Sequence, residues 1–279
     1  MTWRLLPYQT YNAFYNMAVD EAVFRETVKN KQPPTLRFFG WRPSAVSIGY
    51  FQELKNEINV ERCRSTGVDI VRRITGGKAV YHQAEITYAL TAGNSDRRFP
   101  DDLVRTYEII SVCLARGLSE LGIKAHLAKS GALHKRPDRS PCCFAEPSGN
   151  ELLVAGRKIC GSAQMRTHGG FLQHGSLLMS FDPVETAALI RSPATTQPAG
   201  KLSHCVTAVN EVIASPVSPE ALCRLLQKGF SDELGIVFSE GRLTPAEKAL
   251  SDRLVKKYKS DAWNRDRKKE PFPSVEKVE

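Results

Sequence analysis

No run of about 18 apolar residues occurs in the chain, so the sequence offers no candidate for a membrane-spanning helix. The first residues, Met-Thr-Trp-Arg-Leu-Leu-Pro-Tyr, lack the long apolar core of a signal peptide, and the protein is expected in the cytoplasm. No Cys-x-x-Cys pair is present, which argues against a zinc ribbon, and no metal site is expected. The cysteines number seven, an odd count at irregular spacing, which is not the pattern of a disulfide framework. The Gly-Lys-Ser/Thr end of a P-loop is missing, as are zinc-finger and RRM signatures and any internal repeat.

What is present is an ordinary globular composition with a basic balance. Of 279 residues, 42% are hydrophobic and 25% charged, enough to bury a full core in one large domain or one domain with an appendage. The net charge of +9 makes nucleic acid the first partner to weigh. The basic residues are dispersed, however, apart from Arg265, Arg267, Lys268 and Lys269, so no nucleic-acid partner is expected. A dispersed positive surface suits attraction of an acidic protein instead.

Helical spacing of Met17, Ala18, Glu21 and Ala22 predicts a helix over 14–27, with Asn12 as its cap. Strands are predicted over 35–39, 45–50, 68–71, 85–91, 123–128 and 169–179. A helix over 53–66 is expected to end at Gly67. One over 101–121 should bury Leu103, Tyr107, Ile110, Leu114 and Leu118 and stop at Gly122. Residues 129–139 and 191–203 read as loops, and 183–190 as a short helix. The pattern changes after residue 203: helix 219–233, strand 236–239, helix 244–258 and a basic tail. The expected organisation is therefore a catalytic domain over 1–203 with a C-terminal helical extension, 204–279, packed on it. Strands and helices do not alternate strictly, so the fold class is α+β with a mixed, mostly antiparallel sheet flanked by helices.

Chemistry concentrates in residues 141–178. Cys142 and Cys143 are adjacent thiols, and Leu152-Leu153-Val154 leads to a predicted tight turn at Ala155-Gly156. A strand follows that carries Lys158 and is kept thin by Gly161, Ser162 and Ala163, which lets another molecule come close. A thiolate is the nucleophilic form of cysteine, and a nearby ammonium favours it. A cysteine beside a lysine therefore points to covalent acyl transfer, against the plainer reading of a β-hairpin with an exposed Lys158. Upstream, Arg72-Arg73-Ile74-Thr75-Gly76-Gly77-Lys78 places a Gly-Gly pair between two strand-like runs, where backbone N–H groups can turn toward a ligand.

Together these pieces resemble the lipoate–protein ligase and octanoyltransferase family, whose catalytic domain is biotin-ligase-like. The resemblance rests on Arg72-Arg73-x-Thr75-Gly76-Gly77-x-Ala79-Val80-x-His82, Gly156-Arg157-Lys158-x-x-Gly161-Ser162-Ala163-Gln164, Gln173-His174-Gly175-Ser176 and the Phe14-x-Asn16-Met17-Ala18 helix. Within the family the chain is most similar to the cysteine-dependent octanoyltransferases. They share Phe39-Gly40-Trp41, Gly49-Tyr50-Phe51-Gln52, Cys143-Phe144 and Lys257-Tyr258-x-Ser260-Asp261-x-Trp263-Asn264.

The resemblance implies that octanoyl passes from an octanoyl-acyl carrier protein to a cysteine and then to the lysine of a lipoyl domain, such as the glycine-cleavage H protein, with no cofactor. It implies Cys143 as nucleophile and Lys158 as the group that stabilises the oxyanion. Arg72, Arg73, Thr75, Gly76, Gly77, His82, Gly161, Ser162, Ala163, His174 and Gly175 would hold the substrate. Cys142 is a departure from the family pattern and is left as bystander, resolving thiol or alternative nucleophile. The competing functions are an ATP-dependent lipoate–protein ligase and a non-catalytic subunit that binds acyl or lipoyl domains.

Overall fold

The computed structural model describes residues 2–30, 32–128, 151–191 and 199–268. Cys142, Cys143 and the expected loop 129–139 lie outside the described residues. The strands in chain order are β1 (Thr2–Tyr11), β2 (Thr35–Trp41), β3 (Ala45–Ile48), β4 (Asp69–Arg72), β5 (Val80–His82), β6 (Glu85–Gly93), β7 (His126–Leu127), β8 (Leu152–Val154), β9 (Arg157–Thr167), β10 (Gly170–Leu178) and β11 (Val237–Glu240). The helices are α1 (Ala13–Asn30), α2 (Leu54–Glu57), α3 (Val60–Ser65), α4 (Leu103–Ser119), α5 (Pro183–Leu189), α6 (Ala199–Cys205), α7 (Val209–Val212), α8 (Pro219–Leu234), α9 (Pro245–Lys259) and α10 (Asp261–Asn264).

Eight strands form one sheet in the order β11-β1-β2-β6-β10-β9-β8-β7. β1 is parallel to both its neighbours, and the remaining pairs are antiparallel, so the expected mixed, mostly antiparallel sheet is present. A second sheet, β4-β3-β5, stands beside it. The central strands β2 and β10 are buried along their whole length, and β6 all but its last residue, because helices cover both faces.

Alternation decides which residue meets which layer. Leu36, Phe38, Tyr88, Leu90 and Phe171 pack toward Ile110 and Leu114 of α4 and Leu226 and Phe230 of α8. Phe39, Ala89 and Leu172 pack toward Met17 and Ala18 of α1 and Leu254 and Tyr258 of α9. The second sheet has its own core, in which Val46, Ile48 and Val80 meet Leu189 of α5 and Leu202 of α6.

Several boundaries differ from the sequence expectation for identifiable reasons. β1 was not expected: Pro7 and a run of exposed residues break its alternation, and it forms because β2 and β11 supply partners on both sides. The helix expected over 53–66 is two short helices, because Ile58 turns extended and bridges Ile190. The 123–128 strand shrinks to β7. Helix α6 begins inside the expected 191–203 loop. Leu103, placed on the buried face of α4, is exposed at the first turn, whereas Tyr107, Ile110, Leu114 and Leu118 are buried. The region read as a basic tail contains α10, with Trp263 buried.

Candidate functional site

Between the two sheets lies a narrow cleft of ≈ 40 Å³. Its apolar walls are Met17 of α1, Trp41 at the end of β2, Val80 of β5 and Ala163 of β9, and Arg73, His82 and His174 supply its polar atoms. Gly77, Gly161, Ser162, Gly175, Ser176 and Thr87 complete the lining. The antiparallel register sets Ala163 opposite His174 and Gly161 opposite Ser176, so these residues present one continuous wall. Gly175 is required where it stands: a Cβ there would lie 2.5 Å from Ser162 Oγ, 2.7 Å from Tyr88 Cε1 and 2.8 Å from the Gly161 carbonyl.

Two histidine–carboxylate pairs frame the cleft. His82 Nδ1 is 2.8 Å from Glu85 Oε1, and its Nε2 is 2.5 Å from Ser47 Oγ. The imidazole stacks on Trp41 with centroids 4.0 Å apart, and Trp41 donates its indole N–H to Glu85 and to Thr87. Glu85 is wholly buried; burial alone would raise its pKa, but His82 and hydrogen bonds from Thr87 and Ser176 outweigh it and hold the carboxyl below its usual range. On the other side, His174 Nδ1 is 3.2 Å from Asp20 Oδ2 and its Nε2 is 2.7 Å from Thr75 Oγ1. Burial pushes the His174 pKa down, against the opposing pull of Asp20, so a neutral ring is favoured at neutral pH. Asp20 also accepts from Arg37 at 2.6 Å.

Arg73 wraps the glycine loop. Its guanidinium donates to the carbonyls of Ser47, Gly76 and Lys78 at 2.9–3.0 Å and to Ser47 Oγ at 2.6 Å. Thr75 stands behind the loop, against His174. Arg72 takes a different place from its neighbour: it is completely buried, does not line the cleft, and donates to backbone carbonyls of Gly49, Tyr50, Gln52, Trp263 and Asn264.

Lys158 follows the turn at Ala155-Gly156, where both residues have positive φ. β9 carries one extra residue against β8, with Leu152 opposite Cys160 but Leu153 opposite Lys158. Ile159 and Cys160 both pack into the same core cluster, so alternation resumes out of phase, and Lys158 takes the face of Gly161 and Ala163. The ammonium is not exposed as the plain hairpin reading expects. Lys158 is 0% exposed and its Nζ donates to Glu151, itself buried. It lies on the cleft-wall strand, outside the cleft lining itself.

The described cysteines are free. Burial pushes the thiols of Cys63, Cys160 and Cys223 up to about 11, 12 and 12, and that of Cys113 up as well, so all four stay protonated near neutral pH. Among the described residues no cluster of three or more His, Cys, Asp or Glu could hold a metal ion, and no helix is long and apolar enough to cross a membrane.

Of the substrate-binding residues named from sequence, Arg73, Gly77, His82, Gly161, Ser162, Ala163, His174 and Gly175 meet at one cleft. Sequence reasoning did not assign Ser47, Thr87, Glu85 or Glu151 to the site. The signal for Glu85 was its position three residues after His82; Ser47 and Glu151 are brought in only by strand pairing.

A family model for the lipoyl protein ligase A/B catalytic domain matches residues 12–231. An octanoyltransferase LipM of Kyrpidia tusciae is 39% identical over 94% of this chain and 98% of its own length. One of Clostridioides difficile is 35% identical over 95% and 99%. Among solved structures, a lipoate-protein ligase A bound with ATP superposes with a TM-score of 0.80 at 26% identity, covering 95% of this chain and 99% of that one.

Proposed function

The chain belongs to the lipoyl protein ligase A/B catalytic domain family, and from that premise we propose that it is an octanoyltransferase of lipoate biosynthesis, moving octanoyl from an acyl carrier protein through a thioester on Cys143 to the lysine of a lipoyl domain such as the glycine-cleavage H protein. The observation that carries this reading is a narrow cleft with apolar walls whose β9 wall also bears the buried Lys158. An octanoyl chain offers about seven methylene-sized groups, and burying them at roughly 0.8 kcal/mol each gives about 5–6 kcal/mol of binding. Met17, Trp41, Val80 and Ala163 supply the surface for it.

In the first half-reaction the Cys143 thiolate attacks the thioester carbonyl of the carrier, the new C–S bond forms, and the carrier sulfur leaves and takes up a proton. In the second, the deprotonated acceptor lysine attacks the enzyme thioester, the amide forms, and Cys143 leaves as thiolate while the amine gives up its proton. One thioester replaces another of similar energy, so neither step calls for ATP. Lys158 is the charged donor for the carbonyl oxygen in both steps, where a preorganised charge counts most. His82 and His174, each fixed by a carboxylate and a hydroxyl, hold the walls rather than carry protons. The high thiol pKa values of Cys63, Cys113, Cys160 and Cys223 support a nucleophile elsewhere in the chain.

A ligase that activates lipoate with ATP is the second reading, favoured by the superposition on a lipoate-protein ligase A bound with ATP. Intact-mass analysis after mixing the protein with octanoyl carrier protein, without nucleotide, decides between them. One hydroxylamine-labile octanoyl adduct is expected, lost in Cys143→Ser and largely kept in Cys142→Ser. Absence of any adduct together with ATP-dependent modification of a lipoyl domain would establish the ligase instead.

A further inference from the structure

The C-terminal motif Lys257-Tyr258-x-Ser260-Asp261-x-Trp263-Asn264 has no part in the chemistry above. Its last two residues nevertheless reach the cleft through a continuous set of hydrogen bonds. Ser260 caps α10, its Oγ accepting from the Trp263 N–H at 3.2 Å, and Asn264 Nδ2 donates to the Tyr258 carbonyl at 2.7 Å, so the turn between α9 and α10 fixes Asn264. Asn264 then meets Arg72 at two points. Its Oδ1 accepts the Arg72 backbone N–H at 2.8 Å, and its carbonyl accepts from Nη2 at 2.7 Å and Nε at 3.2 Å. The Trp263 indole N–H donates to the Arg72 carbonyl at 2.9 Å.

The far side of the same guanidinium continues the chain of contacts. Arg72 Nη1 donates to the carbonyls of Gly49, Tyr50 and Gln52 at 3.1, 2.9 and 2.6 Å. Burial brings the Arg72 pKa down to about 10, which leaves the group charged near neutral pH. The 49–52 turn in turn presses on the glycine loop. Tyr50 N–H donates to the Thr75 carbonyl at 2.8 Å, and a Cβ on Gly49 would sit 2.0 Å from the Gly77 carbonyl oxygen. Gly77 lines the cleft, and Thr75 holds His174.

We infer that Trp263 and Asn264 are positioning residues for the acyl cleft: through Arg72 they set the height of the 49–52 turn, and with it the Gly76-Gly77 wall that closes on the acyl chain. The inference rests on the reading that this cleft takes the acyl group. Neither residue touches a reacting atom. A guanidinium saturated by carbonyls from two separate segments cannot shift toward one without leaving the other, so play at α10 becomes play at the cleft wall. Displacement of a wall by about 1 Å is enough to cost on the order of a hundredfold in rate.

The test compares Asn264→Ala and Trp263→Phe with Arg4→Met, which removes the partner of the buried Glu247 at the opposite end of α9 and lies away from the cleft. All three are measured at a temperature where circular dichroism shows the fold intact, and Trp263→Phe carries the test if Asn264→Ala does not fold. Two readouts are taken: kcat/KM for octanoyl transfer, and the Kd of octanoic acid as a probe of the cleft. Asn264→Ala should lose about 10- to 100-fold in kcat/KM and bind octanoic acid at least tenfold more weakly, with a smaller loss in Trp263→Phe. Arg4→Met should lower Tm and leave both readouts unchanged. Both values staying within twofold of Arg4→Met for the α10 variants would overturn the inference and leave α10 a clip for the C-terminal helices. A wild-type protein that binds octanoic acid but transfers no octanoyl sinks the proposed function instead, and the octanoic acid Kd still decides on α10.

Discussion

Replacing Lys158 by methionine keeps the stem and removes the charge. From sequence alone such a variant is expected to fold normally, because a lysine on a strand of small residues is expected to reach outward unobstructed. The structure gives a different expectation. Lys158 is fully buried and donates to Glu151, which is buried beside it. Removing one member of such a pair leaves the other's charge uncompensated, at a cost of about 3–5 kcal/mol. At roughly 2–4 °C per kcal/mol for a chain of this size, Tm should fall by about 6–20 °C. The loss has a pH signature. In the variant, burial without the ammonium raises the Glu151 pKa above its unfolded value of about 4.3, so the folded form holds more protons than the unfolded one. Stability is then lost as pH rises, and the variant should be closer to wild type at pH 5 than at pH 8. Glu151→Met combined with Lys158→Met exchanges the pair for two apolar chains of similar volume and should recover most of the lost Tm. It should not recover catalysis, since loss of one oxyanion donor costs on the order of a hundred- to a thousandfold. Thermal melts at two pH values, with single-turnover acylation and transfer at a temperature where each variant is folded, read both effects. A double variant near the wild-type rate would refute the catalytic role of Lys158. A single variant with wild-type Tm would refute the buried-pair argument.

Charge and acidity give two further expectations. The net charge of +9 predicts that encounter with an acidic carrier protein is steered by surface attraction, which is screened over about 10 Å at 0.1 M salt. The kcat/KM for the carrier should fall as salt rises from low to moderate, and a flat profile removes steering. The buried His174 has its pKa held down by burial. Its contribution to stability is present above its unfolded pKa of about 6.5 and is lost as pH falls through the lower folded value. His174→Gln should therefore show a shallower fall in Tm between pH 6.5 and 5 than wild type, and parallel curves would assign that acid sensitivity elsewhere. Glu21 and Glu85, whose pKa values are held below the usual range against burial, add a loss that begins only below about pH 4.5.

Much of the site was legible because its residues are short-range signals. Gly76-Gly77, Gly161-Ser162-Ala163 and His174-Gly175 are small or special residues whose local reason is visible in the chain, and strand register only had to bring them together. What stayed hidden depends on pairing that the local sequence does not mark. Nothing local marks Glu151 as the partner of Lys158, since the contact depends on a one-residue bulge between β8 and β9. Arg72 and Arg73 read alike in sequence, yet Arg72 ends β4 and Arg73 follows it, and the two side chains take different surroundings. One wraps the glycine loop, and the other is taken up by carbonyls from residues 49–52 and 263–264. β1 escaped notice for a related reason: its two parallel partners lie some 30 and 235 residues away, and parallel pairing leaves no hairpin turn to read.

The same contrast bears on how one scaffold can serve both an ATP-using ligase and a thioester-using transferase. The superposition on an ATP-bound ligase spans nearly the whole chain, so the two share their backbone scaffold. An acyl chain asks the walls only for apolar surface and a fixed carbonyl position, whichever leaving group is attached. The leaving group matters where the carbonyl emerges, and on the proposed reaction that oxygen is served by the Lys158 ammonium, buried beside Glu151 on the wall strand. A cation held by a carboxylate within the fold is already in place before substrate arrives, so it can face a thioester oxygen without help from a metal-bound phosphate. On this argument the transferase requires a thiol within reach of Lys158 and little else that the ligase scaffold lacks. Cys160, two residues after Lys158, is buried with its thiol pushed up to about 12, and the next thiols along the chain are the adjacent Cys142 and Cys143, nine and eight residues before Glu151.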